Sequence, residues 1–341
     1  MKPVVRIGID LAKNSFAICG VNDTGQVVLE RTLKRAELLA FFANLPACLV
    51  AMEAGSGAHY WARELLKLGH DARIIDPALV APYRQGGRHS KNDRNDAKAI
   101  CEAAGRPSMR FVPIKSEEQQ AVLVIHRCRR AMVSAHTRTA NQLRGLLAEF
   151  GLVVPKGVNT LKRQWPKLRM AHAERVPLLA WEELDGLFSQ LLEQHQQILR
   201  YERKIAALNR ENEAAKRLQE IRGVGPITAS AIVATVGNAR LFKNGRQFAA
   251  WLGLTPREYS TGGKPRLGRI SKRGDVYLRT LLVHGARSEL MHTAKRADGK
   301  SQWSEHLKET KSWNKVAVAL ANKHARIIWA MLAKETAYRP V

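Results

Sequence analysis

The chain has 341 residues, long enough for two domains of ordinary size, and its 45% hydrophobic and 25% charged residues place it with folded and not disordered proteins. Lys and Arg number 56 against 30 Asp and Glu, and the formal charge of +26 argues for a polyanionic partner, since bound cations release counterions from phosphate chains. No apolar run approaches the roughly 20 residues of a membrane span, and the N-terminus passes directly into a strand-like pattern, so a soluble cytoplasmic protein with no membrane partner is expected.

Residues 4–9, 16–21 and 27–33 are short β-rich runs parted by the turn-like Lys13-Asn14-Ser15 and Asn22-Asp23-Thr24-Gly25, which predicts an antiparallel meander. A helix is expected over 35–45, an apolar strand over 48–52, and a helix over 59–68 with Trp61, Leu65, Leu66 and Leu68 along one side. A strand over 72–75 ends at Asp76-Pro77, and a helix opens near Asp93. The order β-β-β-α-β-α-β-α is that of an RNase H-like domain, assigned to 1–112.

A helical region is assigned to 113–221. A long helix over 116–150 opens on a capping-box-like Ser116-Glu117-Glu118-Gln119 and stops at Gly151, with Arg127, Arg129, Arg130, Arg138 and Arg144 on its exposed side. Residues 151–180, with Pro155, Pro166 and Pro177, read as a loose connector. A second long helix is expected over 182–221. Leu191, Ile198, Ile205 and Asn212 recur every seven residues, a coiled-coil-like seam that makes the first three candidate subunit contacts. The second seam position falls on His195, Glu202 and Asn209, so packing within the chain's own domain stands equally open. A mostly α domain is assigned to 222–341, with helices near 227–236, 244–252, 274–287 and 314–332. The cysteines at 19, 48, 101 and 128 are scattered with no CxxC pair, and read as buried small hydrophobes in a reducing compartment.

Two constellations carry chemistry. Asp10 and Glu53 close apolar strands, and Asp93 and Asp96 lie three apart, on one side of a helix. Acids gathered at one sheet edge suit divalent-metal phosphoryl transfer. Taken singly, each is as readily a cap or an ion pair. The flanking Arg84, Arg88, Lys91, Arg94 and Lys98 would grip phosphates, or form a solvated charged face. In the C-terminal half, Arg222-Gly223-Val224-Gly225-Pro226 looks like the hairpin of a helix-hairpin-helix, with Gly223 and Gly225 bringing backbone to a phosphate. From Arg257 to Arg279 there are seven Lys or Arg and only Glu258 and Asp275 as acids. Ser260, Thr261 and Ser271 lie in this basic loop with Gly262, Gly263, Gly268 and Gly274. A hydroxyl among cations suits attack on a phosphodiester, or a plain hydrogen bond to one.

Taken together, RIGIDLAK, MEAGSGAHYWARELLKLGH, HSKNDRNDAKAI, IRGVGPITA and the stretch from FAAWLGLTPREYSTGGKPRLGRISKRGD to LLVHGAR resemble the DEDD-type transposases of the IS110 insertion-sequence family, with its IS1111-like branch and the related Piv invertases. The resemblance covers most of the chain in the right order. It implies a RuvC-like catalytic domain, a helical connection and a C-terminal transposase domain. It places the tetrad on Asp10, Glu53, Asp93 and Asp96 with Mg²⁺ or Mn²⁺, and the nucleophile on Ser260, with Thr261 the competitor because this chain reads Ser-Thr-Gly-Gly where some members read Ser-Gly. Backbone phosphates would be anchored by Arg88, Lys91, Arg94, Lys264, Arg266, Arg269, Lys272 and Arg273. Implied partners are double-stranded DNA (element ends and target), a structured guide RNA, and further copies of the chain as a dimer or tetramer, in a bacterial cytoplasm at the nucleoid. The rival expectations are a RuvC-type Holliday-junction nuclease and a non-catalytic nucleic-acid-binding protein.

Overall fold

The apolar N-terminal runs pair into one six-stranded sheet in the computed structural model, which describes residues 3–84 and 92–339. The chain divides into two compact units, Met1–Glu117 and Glu118–Val341.

In the first unit, β1 (Arg6–Leu11), β2 (Ser15–Val21) and β3 (Val27–Lys34) form the antiparallel meander. After α1 (Leu38–Ala43), β4 (Leu49–Glu53) pairs parallel to β1, and after α2 (Ala58–Lys67), β5 (Asp71–Ile75) pairs parallel to β4. The short α3 (Pro77–Val80), then α4 (Asp93–Ala104) and β6 (Phe111–Val112), complete the unit, and the strand order is β3-β2-β1-β4-β5-β6. Period-two alternation divides the side chains between the faces. Ile7, Ile9, Phe16, Ile18, Val50, Met52 and Ile74 pack with Leu38, Phe42, Trp61 and Leu65. Each such side chain contributes roughly 1.5–3 kcal/mol on burial. Leu66 and Leu68, expected beside them, are exposed. The opposite face is lined by small residues (Gly8, Ala17, Cys19, Ala51), against which α4 lays Ala97, Ala99 and Cys101.

The second unit starts with α5 (Glu117–Glu149). The expected loose connector is instead the helix α6 (Val158–Ala171), with Pro166 inside it. An interior proline costs about 3 kcal/mol, and packing outweighs it. Leu161 and Trp165 are buried, Trp165 stacks on Phe188 at 4.5 Å, and its Nε1 donates to Asp185 at 3.0 Å.

The seam helix is α7 (Leu178–Arg210), and it stops where one continuous helix was expected. Asn212 does not extend the seam: it caps α8 (Glu213–Leu218) by accepting the Ala215 N–H at 2.9 Å. The candidate subunit contacts Leu191, Ile198 and Ile205 are buried within this one chain, Leu191 beside Leu143, Leu147 and Trp165. The polar seam positions have internal partners too. His195 stacks on His136, Glu202 accepts from Arg129 at 2.6 Å, and Asn209 donates to the Pro226 carbonyl at 2.7 Å. Arg129 therefore faces α7 and not solvent.

Then come α9 (Pro226–Val236), α10 (Gly245–Trp251), the hairpin β7 (Pro256–Glu258) and β8 (Leu267–Ile270), α11 (Val276–Leu290), α12 (Gly299–Thr310) and α13 (Trp313–Lys334). The last is long and apolar enough by length and composition to cross a membrane, yet Val316, Leu320, Ala321, Ile328 and Met331 on it belong to the unit's core. A buried ionic trio joins the last three helices. His324 Nε2 and Lys300 Nζ each lie 2.8 Å from Glu289, the lysine poorly directed for a hydrogen bond. Burial pushes Glu289 up, but its two cationic-side partners prevail and hold it below the ordinary value. Cys19, Cys48 and Cys101 are buried as expected, and Cys128 is half-buried.

Candidate active site

The parallel pairing of β1 with β4 sets Ile9 opposite Met52. Asp10 and Glu53, one residue on, therefore stand at the same level of adjacent strands, on the face covered by α4. Asn92 caps α4 by accepting the Asn95 N–H at 2.9 Å. The cap is thus Asn92 and not Asp93, which lies exposed in the first turn. Asp96, one turn on, is buried toward the sheet.

Between these acids lies Arg84. Its Nη2 donates to Glu53 Oε1 at 2.8 Å and its Nε lies 2.7 Å from Asp96 Oδ1. Burial pushes the Glu53 carboxyl above its ordinary value, against the pull of Arg84, and the negative charges of Asp96, Asp10 and Asp76 push it further. Three of the four expected acids therefore feel one another's charge, and Asp76 joins them. Such hard carboxylate oxygens, crowded enough to repel, fit a divalent cation of the Mg²⁺ class. Among the described residues no three His, Cys, Asp or Glu side chains already form one coordination sphere. The Arg84 guanidinium holds Glu53 and Asp96.

Of the cations expected to grip phosphate here, Lys98 is paired with Glu30 at 2.6 Å and Arg94 is exposed. Arg88 and Lys91 lie outside the described residues.

The basic loop of the second unit is a β-hairpin. Thr261 and Lys264 bridge around Gly262 and Gly263, both at positive φ (55° and 75°), the two-residue turn that glycine permits. Ser260 stands one residue before the bridge, and its Oγ accepts the Arg266 N–H at 3.0 Å. That bond fixes the oxygen and leaves the hydroxyl hydrogen to donate elsewhere. Thr261, Lys264, Arg266, Arg269, Lys272 and Arg273 are exposed around it. The hairpin's base is tied down by buried Arg279, whose Nη1 donates to the Leu252 and Arg273 carbonyls at 3.0 Å each.

Comparison with known proteins decides the family. The model described as the transposase IS116/IS110/IS902 family matches residues 215–302, and a DEDD-type IS110 model, described as a transposase, matches 7–151. The chain is 52% identical to a probable family 20 transposase of Pseudomonas aeruginosa, over 98% of each chain. It is 41% identical to the transposase for insertion sequence element IS1111A of Coxiella burnetii, over 99% of this chain and 92% of the other, and 40% identical to that for IS1328 of Yersinia enterocolitica, over 99% of each. The chain belongs to the IS110 family of transposases.

As an insertion-sequence transposase it is an enzyme that acts on DNA, and its charge of +26 suits that polyanion. The remaining expected contacts of this transposase, Gly223 and Gly225, differ in setting. A β-carbon on Gly223 would stand 2.7 Å from the Gly285 carbonyl oxygen, so that glycine lets the turn pack on α11. Gly225, the N-cap of α9, has open space around its α-carbon. Arg84, expected among the phosphate-gripping cations, instead bridges Glu53 and Asp96.

Proposed function

We propose that the transposase breaks and rejoins DNA by serine attack on a phosphodiester held at the carboxylate site. The observation that carries this reading is the convergence of Asp10 and Glu53, at the ends of adjacent strands, with Asp96 of α4, Glu53 being raised first by burial and then by its acidic neighbours. The strand order, a three-stranded antiparallel meander followed by two parallel strands, supports assignment to the RNase H-like class.

Asp10, Glu53, Asp93 and Asp96 would hold Mg²⁺ or Mn²⁺, which when bound supplies positive charge to the scissile phosphate. Arg84, which bonds Glu53 and Asp96, would have to release them to such a cation. Ser260 Oγ forms the new bond to phosphorus as the bond to the leaving deoxyribose oxygen breaks. The Oγ proton leaves to solvent and a proton reaches the deoxyribose oxygen. The covalent protein–DNA ester keeps the bond energy for rejoining. Lys264, Arg266, Arg269, Lys272 and Arg273 neutralise flanking phosphates. Because the acids and Ser260 belong to separate units, the reaction requires both to reach one phosphate. Family resemblance adds a structured guide RNA, assembly as a dimer or tetramer, and action at the bacterial nucleoid.

The test is cleavage of the element's own end DNA, with its flanking RNA and Mg²⁺, by wild type, Asp10→Ala and Ser260→Ala. Each sample is run on a denaturing gel with and without protease. A protease-sensitive protein–DNA adduct in wild type, absent from both variants, is expected. Free ends that persist in Ser260→Ala would make the enzyme a RuvC-like nuclease instead.

A further inference from the structure

Where α10 meets α13, the second unit carries a groove of about 900 Å³ whose lining includes no residue of the tetrad or of the serine hairpin. The two helices approach because residue 245 has no side chain: a β-carbon there would stand 3.0 Å from the Arg326 α-carbon. Exposed Arg246 and Arg326 line the groove together with Lys323. Two half-buried indoles complete it. Lys323 Nζ lies 4.6 Å from the Trp303 ring centroid, so a cation already rests on that aromatic face. Trp329 is held in place, its Nε1 donating to the Ala239 and Phe242 carbonyls at 3.1 Å each. No Asp or Glu lines the groove among the described residues. Burial chiefly, and then the charges of Lys300 and Arg326, hold the Lys323 ammonium below its ordinary pKa.

We propose that this groove binds a single-stranded stretch of nucleic acid, with an unpaired base stacked on Trp303 and the adjoining phosphates on Arg246, Lys323 and Arg326. Cations alone would serve a duplex equally well. The Trp303 face on which Lys323 rests offers an unpaired base a stacking surface once that ammonium turns to a phosphate, and stacking on aromatics with cations along the backbone is how single strands are held. The proposal rests on the nucleic-acid reading above and adds a second, strand-state-selective site to it.

The experiment uses the full chain and fluorescein-labelled oligothymidylate, oligouridylate and duplex DNA, the single strands about twelve nucleotides long, within the span such sites cover. The double variant Arg246→Ala, Arg326→Ala changes only exposed side chains and is compared with wild type by anisotropy. A 5-iodouridine-substituted strand is photocrosslinked to wild type and the adduct mapped by mass spectrometry. Affinity for both single strands is expected to fall about tenfold or more in the variant, while duplex binding changes less than about twofold, and the adduct is expected on Trp303. Tighter binding of oligouridylate would identify RNA as the source, and of oligothymidylate a displaced DNA strand. An equal loss on duplex would reduce the groove to a general basic surface. Unchanged single-strand affinity, or an adduct elsewhere, would overturn the site while leaving duplex binding intact. Wild type that binds none of the three would overturn the nucleic-acid reading as well.

Discussion

Gly8 lies so close beneath Cys101 that a β-carbon on it would stand 2.4 Å from the Cys101 amide nitrogen and 2.3 Å from the Ala97 carbonyl oxygen. Both are helix backbone, so nothing flexible can give way. This contact fixes the height of α4 on the sheet and with it the position of Asp96 beside Glu53. Gly8→Ala is therefore expected to destabilise the first unit by about 3 kcal/mol, the upper end of ordinary overpacking. Gly186, on α7 with open space around it, is the control: its replacement by Ala is expected to stabilise by roughly 0.5–1 kcal/mol. Urea unfolding of both variants checks this, and equal effects at the two positions would refute the contact argument.

Arg84 competes for the oxygens that a divalent cation would use. Arg84→Met is expected to lower the melting temperature in EDTA, since Glu53 and Asp96 then face each other without a counterion. Added Mg²⁺ should restore more stability to the variant than it gives to wild type, because a ligand stabilises the folded state more the tighter it binds. Thermal unfolding across a Mg²⁺ series reads both. A smaller Mg²⁺ response in the variant would mean that Arg84 helps to hold the metal and does not compete with it.

The heptad pattern on α7 leads to a prediction about assembly. Leu191 is fully buried within one chain, whereas Leu192 beside it is 41% exposed. Leu191→Ala should cost about 2–5 kcal/mol through the cavity it leaves, with no change in sedimentation of the folded protein. Leu192→Ala should cost under about 0.5 kcal/mol. Loss of an oligomer in folded Leu191→Ala would return the seam to its role as a subunit contact.

What could be read in the sequence was what local pattern decides. Alternation and turn residues set the first five strands, and the acids at strand ends could be placed because a strand's end is visible in its apolar run. The Thr261–Lys264 turn also had a signal, two glycines between strand-forming flanks, although only the loop was expected. What failed depended on partners far along the chain. Pro166 looks like a helix breaker until Trp165 is seen stacked on Phe188. The seam left subunit contact and internal packing equally open because Arg129, which pairs with Glu202, and His136, which stacks on His195, lie on a different helix. Arg84 is one of many arginines, and nothing local marks it as the one that bridges two acids.

His126 gives the second unit a pH dependence of known sign. Its Nε2 lies 3.0 Å from Ser230 Oγ and its Nδ1 3.1 Å from the Tyr277 hydroxyl, tying α5 to α9 and α11. Burial chiefly, and then the Arg129 charge, bring its pKa down from 6.5 to about 4. Between those values the unfolded chain takes up a proton that the folded one refuses, so stability falls as pH falls through this window and is fully present only above it. At 1.36 kcal/mol per unit the whole loss is about 3 kcal/mol, most of it reached by a pH of about 4.5. Other groups titrate here too, so the measurement is a difference. His126→Gln keeps a donor and an acceptor but cannot charge. The stability gap between wild type and this variant, from urea unfolding, should narrow by about 2 kcal/mol on going from neutral pH to about 4.5. A gap independent of pH would show that the imidazole titrates alike in both states, and that its two hydrogen bonds tie the helices together without excluding the proton.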